Sequence, residues 1–315
     1  MKPPALKEGD TVGIVAPASR PYNPSSVKLA AALLEHLGFK VILGNHLLKK
    51  YGYMAGRDEE RVEDLHALWS NDQVRAIFAL HGGYGSLRLL PYLDYELLKE
   101  HPKIFVGSDD ITSLLLVITD QIGLVTYHGP CLTAIGSDEY TINMLKKVLT
   151  STEPLGEVDL PKGESSLDLH PLTIFSIKDG VAKGKLMGGN LTALSALLGT
   201  PYEIDFKGKI LFFEETDEGP GTVDRHLTSL WLSGKLQEVA GVVVGECEDT
   251  GATRSYFDTI PLEELLMKRL GVLDLPSMYG LPIGQKKYKA TLPLGIQATL
   301  DTKRCKLIIE EGAVE

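Results

Sequence analysis

What most constrains this chain is a regular alternation over its first 130 residues. Short apolar runs recur as "TVGIVAP" (11–17), "KVILG" (40–44), "AIFAL" (76–80), "KIFVG" (103–107) and "LVTYHG" (124–129). Between them lie segments of helical period. In "NPSSVKLAAALLEHLGF", Val27, Ala30, Ala31, Leu34 and Leu37 share one face, Ser25 and Ser26 offer N-caps, and Gly38 stops the helix. In "GRDEERVEDLHALWS" the apolar face is Val62, Leu65 and Trp69, with Asp58 as the expected cap. Strands and helices alternating at this pitch predict an α/β fold with a parallel sheet covered by helices on both faces. Ligands of such sheets sit beyond the carboxyl ends of the strands.

The texture changes between Ser151 and Lys185. "STEPLGEVDLPKGESSLDLH" is rich in Pro, Gly, Ser and acids and holds no period, which predicts an inter-domain connection. The expected organisation is an N-terminal domain over 1–155, a linker over 156–183 and a C-terminal domain over 184–315. A chain of 315 residues can give each domain its own core. The last segment, "TLPLGIQATLDTKRCKLIIEEGAV", alternates and carries turn residues, so a closing hairpin is expected.

Charge and cysteine usage exclude several classes. Lys and Arg number 32 against 42 Asp and Glu, a formal net charge of −10. Such a field does not favour nucleic acid or an anionic membrane surface. The three cysteines are widely spaced and form no CxxC, and the eight histidines form no ligand spacing. No metal and no cofactor is therefore expected. No signal-peptide layout and no apolar run approaching ~20 residues is seen, so the expectation is a cytoplasmic protein.

Three strand ends carry candidate chemistry. "HGGYGS" (81–86) supplies glycines that let backbone N–H groups face an anion, although a tight turn alone would also use them. "GSDD" (107–110) puts Ser108, Asp109 and Asp110 before an apolar helix. Capping accounts for one polar residue there, and three exceed that need. "FFEE" ends in Glu214 and Glu215, of which strand alternation should aim one towards the core side and one away. His81 and His128 lie at strand ends. His36 and His66 lie in amphipathic helices, where surface or partnered positions are expected.

These segments together resemble the LD-carboxypeptidase family, serine peptidases that trim the tetrapeptide of recycled murein and include the microcin-immunity peptidases. The resemblance runs through "LKEGDTVGIVAPAS", "AGRDEERVEDL", "GGYGSLRLLPYLD", "DITSLL", "HGP", "GGNLTALSALLGTPYEIDFKGKILFFEE", "VDRHL" and "LPLGIQATLD". It implies a flavodoxin-like N-terminal domain, a C-terminal mixed β/α domain of swivelling-barrel type, a cleft between them, a small peptide or muropeptide as ligand, and a homodimer. It implies a Ser–His–Glu catalytic set. Asp110, Ile111 and Thr112 match the family's Asp-Ile-Thr, which leaves Ser108 at the aromatic position and Asp109 at the nucleophile position. Glu214 matches the family glutamate. Gln285, in "LPIGQKKYKATLPLG", stands where the family has histidine, and His81 where it usually has arginine before Gly-Gly-Tyr-Gly.

A serine triad needs an activated hydroxyl and a base. Gln285 cannot take a proton near neutral pH. Losing nucleophile and base together should remove roughly 10⁴–10⁶-fold of rate. Ser108 could replace the nucleophile only with a base, for which His81 or His128 is the nearby candidate. The leading expectation is a family hydrolase acting on a murein-derived peptide with an altered triad, its oxyanion held by backbone N–H groups near Gly83 and Asp110. One alternative is a rewired enzyme in which Asp109 and Glu214 do acid–base work on a murein sugar or related C–O bond, with Gln285 donating between them. The other is an inactive homologue that binds a muropeptide or peptide.

Overall fold

The computed structural model describes residues 1–136, 138–161, 173–248 and 260–315. Its strands are β1 (Thr11–Val15), β2 (Lys40–Leu43), β3 (Val74–Ala79), β4 (Ile104–Gly107), β5 (Tyr127–His128), β6 (Gly156–Glu157), β7 (Phe175–Lys178), β8 (Val181–Asn190), β9 (Ile210–Thr216), β10 (Gly241–Glu248), β11 (Ser277–Tyr279), β12 (Leu292–Pro293), β13 (Gln297–Asp301) and β14 (Lys306–Ile309). Its helices are α1 (Ser25–His36), α2 (Asp58–Ser70), α3 (Tyr95–Glu100), α4 (Thr112–Ile122), α5 (Glu139–Thr150), α6 (Leu191–Ser195), α7 (Pro220–Leu232), α8 (Lys235–Glu238) and α9 (Leu262–Leu270).

Two sheets organise the chain. The first runs β2-β1-β3-β4-β5, all parallel, with β12 antiparallel on β5. That strand order is the flavodoxin-like one, and its connections reverse direction between β1 and β3. The second sheet runs β6-β14-β13-β8-β9-β10-β11-β7 and is mixed, with β8 to β11 parallel and the flanks antiparallel. The sequence is therefore α/β in both halves, as the alternation and the family resemblance imply.

Helix α4 lies where the halves meet. All residues from Thr112 to Thr119 are buried. A helix apolar all round needs cover on every side. Here β4 supplies it from the first half, and β8 and α6 from the second. This placement fixes the start of α4, and with it the "GSDD" segment, against the second sheet.

Several local expectations need correction. Ser25 and Ser26 do not cap α1: its N-cap is Pro24, and the Ser25 N–H donates to the Asn23 side chain at 3.0 Å. Asp58 is the first helical residue of α2 and not its cap, because its carboxylate is taken by Arg61 and by Arg88. The stretch 156–183 read as a linker contributes β6 and β7, one at each edge of the second sheet. Edge strands carry little alternation to read, and residues 162–172 lie outside the described residues. The closing hairpin is present as β13 and β14, paired from Ala298–Ile309 to Asp301–Lys306.

The chain ends tie the halves together. The Ala5 N–H donates to the Glu315 carbonyl at 2.9 Å, and the Tyr127 hydroxyl donates to the Ala313 carbonyl at 2.8 Å within the core. Replacing Tyr127 by Phe leaves that carbonyl without its donor. A stability loss of about 1–2 kcal/mol is expected, read as a lower denaturant midpoint at unchanged slope.

Candidate active site

The site is built where β4 ends. Asp109 has φ +57°, a left-handed conformation that a non-glycine residue holds at a cost of about 1–3 kcal/mol. The turn is tight enough that a Cβ on Gly107 would meet the Ile111 side chain at 2.6 Å. This is a strained strand-to-helix elbow, the geometry that presents one side chain at the top of a sheet. Asp109 occupies it.

The three polar side chains of the elbow cap nothing in their own helix. Each reaches another segment. Asp109 Oδ2 accepts from the Gly83 N–H at 2.6 Å, and a Cβ on Gly82 would sit 2.2 Å from that same oxygen. Only glycine lets the "HGGYGS" loop come so close. Asp110 Oδ2 accepts from the Ser86 N–H at 2.6 Å. The buried Ser108 hydroxyl lies 3.7 Å from the Cys131 thiol and accepts from the Gln285 amide at 2.9 Å. The excess polarity of "GSDD" is used to bind three other segments together.

Glu214 and Glu215 are both buried, at 0% and 1% exposure, so strand alternation separates their partners and not their burial. Glu215 is satisfied: it accepts from Asn190 Nδ2 at 2.7 Å, from the Thr192 N–H at 2.9 Å and from the Thr192 hydroxyl at 2.7 Å. Glu214 is not. By hydrogen-bond geometry neither of its carboxyl oxygens has a partner among the described residues, and the Asn190 side chain is the nearby donor that acts on it. It lies against Gly284, whose Cβ would be 3.6 Å from Glu214 Oε2. Gln285 follows directly in the chain, yet its amide turns to Ser108 and bridges no carboxylates. The expected Gln285 bridge between Asp109 and Glu214 is thus absent, because Ser108 offers the buried acceptor.

The carboxyls shift accordingly. Burial pushes Asp109 up to about 7, the Gly83 N–H opposing and the charges of Asp110 and Glu215 reinforcing. Burial holds Glu214 well above the carboxylate range, the charges of Asp109 and Glu215 reinforcing and the Asn190 amide opposing. Burial thus favours the protonated form of both carboxyls, bringing Asp109 close to neutral pH.

Neither strand-end histidine meets Ser108. His81 bonds the Thr133 hydroxyl through Nδ1 at 2.9 Å and packs edge-on to Tyr22. His128 is buried edge-on to Phe212, and burial lowers it to about 4, so it stays neutral. His66 is partnered, accepting from the Asp94 N–H at 3.0 Å. Cys131 is held up to about 12 by burial and is inert as a nucleophile. The Gly83 N–H, which the resemblance implies as an oxyanion donor, is filled by Asp109.

Sequence reading missed Ser19, Asn190, Thr192 and His226. Ser19 follows β1, and its hydroxyl accepts from the Tyr84 N–H at 3.1 Å. Asn190 caps α6 through Ala193, and the Thr192 hydroxyl also meets His226 Nε2 at 3.2 Å. Ser19 and Asn190 lie at or just past strand ends, a placement that could have flagged them. Among the described residues no group of His, Cys, Asp and Glu is arranged to hold a metal ion.

An elbow at a strand's carboxyl end, a backbone N–H aimed at the elbow side chain and a buried acid on a facing strand are the frame of an α/β acyl-transfer hydrolase. The chain belongs to the LD-carboxypeptidase family. Residues 12–129 match the LD-carboxypeptidase N-terminal domain, and residues 183–300 match the LD-carboxypeptidase C-terminal domain. A probable murein peptide carboxypeptidase of Bacillus subtilis is 39% identical over 100% of this chain and 96% of its own length. The murein tetrapeptide carboxypeptidase of Pseudomonas aeruginosa is 28% identical, covering 94% of each chain. The crystal structure of an MccF-like protein from Bacillus anthracis superposes with TM-score 0.87 at 32% identity, over 99% of each chain.

Proposed function

We propose that the chain takes a murein-derived peptide or muropeptide as its ligand and does not cut it by serine-peptidase chemistry. The observation that carries this is the carboxylate in the elbow seat: Asp109 stands where a nucleophile would, on the Gly83 N–H that would receive an oxyanion. The rest of a triad is uncoupled around it. Gln285 cannot accept a proton and is turned to Ser108, and Glu214 faces no histidine. Ser108 is no substitute, because among the described residues its hydroxyl meets an amide and an inert thiol and no base. The ligand class is supported by the murein-peptide names of the relatives.

A second reading has an observation of its own. Two buried carboxyls, both shifted upward and Asp109 to about 7, are a pair suited to acid–base work at a C–O bond of a murein sugar. Incubation with a panel of muropeptides and murein sugars, followed by mass spectrometry, separates the readings. The expected outcome is a peptide retained on the protein with its mass unchanged. Release of a terminal amino acid by the parent overturns the proposal. A cleaved sugar, lost in Asp109→Ala, establishes the second reading.

A further inference from the structure

Arg61, in the first turn of α2, is 1% exposed, and a guanidinium buried so deeply is stable only where its partners offset the lost water. Its Nη2 pairs with Asp58 and lies 3.3 Å from Met54 Sδ. Its Nη1 goes to backbone, donating to the Pro17 carbonyl at 2.6 Å and to the Gly85 carbonyl at 2.9 Å. Its Nε has no partner among the described residues. The guanidinium is thus placed for the two carbonyls, and its own Nε goes unbonded.

Those carbonyls belong to different loops. Pro17 lies in the loop after β1 and Gly85 in the loop after β3. β1 and β3 flank the point where the connections reverse direction, and in a sheet of this order the crevice there is the usual place for a ligand. Here the loops meet across it. The Ser19 N–H donates to the Gly82 carbonyl at 3.0 Å, and the Tyr84 N–H returns to the Ser19 hydroxyl at 3.1 Å. Gly85 has φ +114°, and a Cβ there would come to 3.0 Å from Arg61 Nη1, so glycine lets the guanidinium reach the chain. Asp58 also accepts from Arg88 Nη2 at 2.6 Å, so the first turn of α2 holds the far end of the loop as well. Between these ties lies Gly83, whose N–H meets Asp109.

We propose that Arg61 is a positioning residue for the elbow: it bolts the loop after β1 to the loop after β3, closes the crevice between them, and so fixes the Gly83 N–H on the side chain at position 109. It acts through the two loop carbonyls. The inference holds whatever the site binds, because it concerns how the donor is presented.

The test is nuclear magnetic resonance of the full chain, made with glycine labelled at both its carbonyl carbon and its amide nitrogen. A carbonyl-to-amide correlation spectrum then holds two signals, because Gly82–Gly83 and Gly188–Gly189 are the two glycine pairs in the sequence. Gly83 is recognised as the signal that moves in Asp109→Asn, which alters its acceptor. Gly189, on β8 in the second sheet, is the internal reference. Methionine at 61 keeps the length of the buried side chain and no donor. In Arg61→Met the Gly83 amide should change its shift and exchange with solvent about tenfold faster or more, with Gly189 unmoved. An unchanged Gly83 overturns the proposal. So does equal acceleration at both glycines, which would make Arg61 a contributor to overall stability alone. If Arg61→Met does not fold, Asp58→Asn removes the carboxylate that anchors the guanidinium and is read in the same way. A faster Gly83 beside an unchanged Gly189 upholds the proposal, and an unchanged Gly83 or equal acceleration overturns it.

Discussion

Asp109→Ser combined with Gln285→His is expected to create a carboxypeptidase where the parent has no measurable activity. Serine at 109 inherits the strained elbow, φ +57°, and removes the carboxylate from the Gly83 N–H, freeing an oxyanion donor. Histidine at 285 follows Gly284, which lies against Glu214, and supplies the N–H that the buried Glu214 lacks. Its other nitrogen is then the base. Glu214 ionises on gaining that partner, as the acidic member of a triad must. Members of such a unit act together, so each single change should give little: a hydroxyl without a base, or a base without a hydroxyl. Release of the terminal D-amino acid from murein tetrapeptide should rise in kcat/KM by roughly 10⁴-fold or more over the parent, far beyond the product of the two single effects. A double variant that binds the tetrapeptide and releases nothing would sink this account of the site. So would a parent that already works at a comparable rate.

The fold was legible because it is written in periods. Apolar runs ending in small residues, alternating with helical faces such as Val62, Leu65 and Trp69, leave few architectures open. The edges were not legible. β6 and β7 are two and four residues long and lie in a Pro- and Gly-rich stretch that reads as a connection. β12 is two residues that cross from the second half to complete the first sheet, and nothing local distinguishes them from the approach to a hairpin. At the site, the family resemblance implied Asp109, Glu214 and Gln285 as one set, and the structure gives Asp109 the left-handed φ of the elbow. The hydrogen-bond assignments were beyond reach. The bond from the Gln285 amide to Ser108 follows from three-dimensional positions that no spacing encodes. The burial of both Glu214 and Glu215 was missed for a physical reason. Strand alternation separates solvent from core only where one face of a sheet is wet, and β9 is covered on both.

A second large effect concerns pH and stability. In the native protein burial raises Asp109 to about 7, against 3.8 for the exposed group. Between those values the folded state holds a proton that the unfolded state has released, so stability must fall as pH rises. The contribution is fully present below pH ~4 and is lost once the carboxyl ionises above about 7. For a shift of this size the loss is up to about 4 kcal/mol at pH 8 and above. Glu214 is raised in the same direction and coupled to Asp109, so the pair titrates in macroscopic steps that belong to both. Asp110 and Glu215 add like charge on the same side. Asp109→Asn keeps the acceptor for Gly83 and deletes the titration. It should leave the protein about as stable as the parent at pH 4 and below, and more stable by roughly 2–4 kcal/mol at pH 8. Thermal or urea midpoints of the two proteins, measured from pH 4 to pH 9, should diverge between about pH 4 and 7, with the parent falling faster, and keep a constant gap above that. The net charge of −10 gives both curves a common slope, and the difference between them removes it. Curves parallel over the whole range would mean that Asp109 is solvated or already ionised in its seat, and the filled anion site would then carry no electrostatic cost.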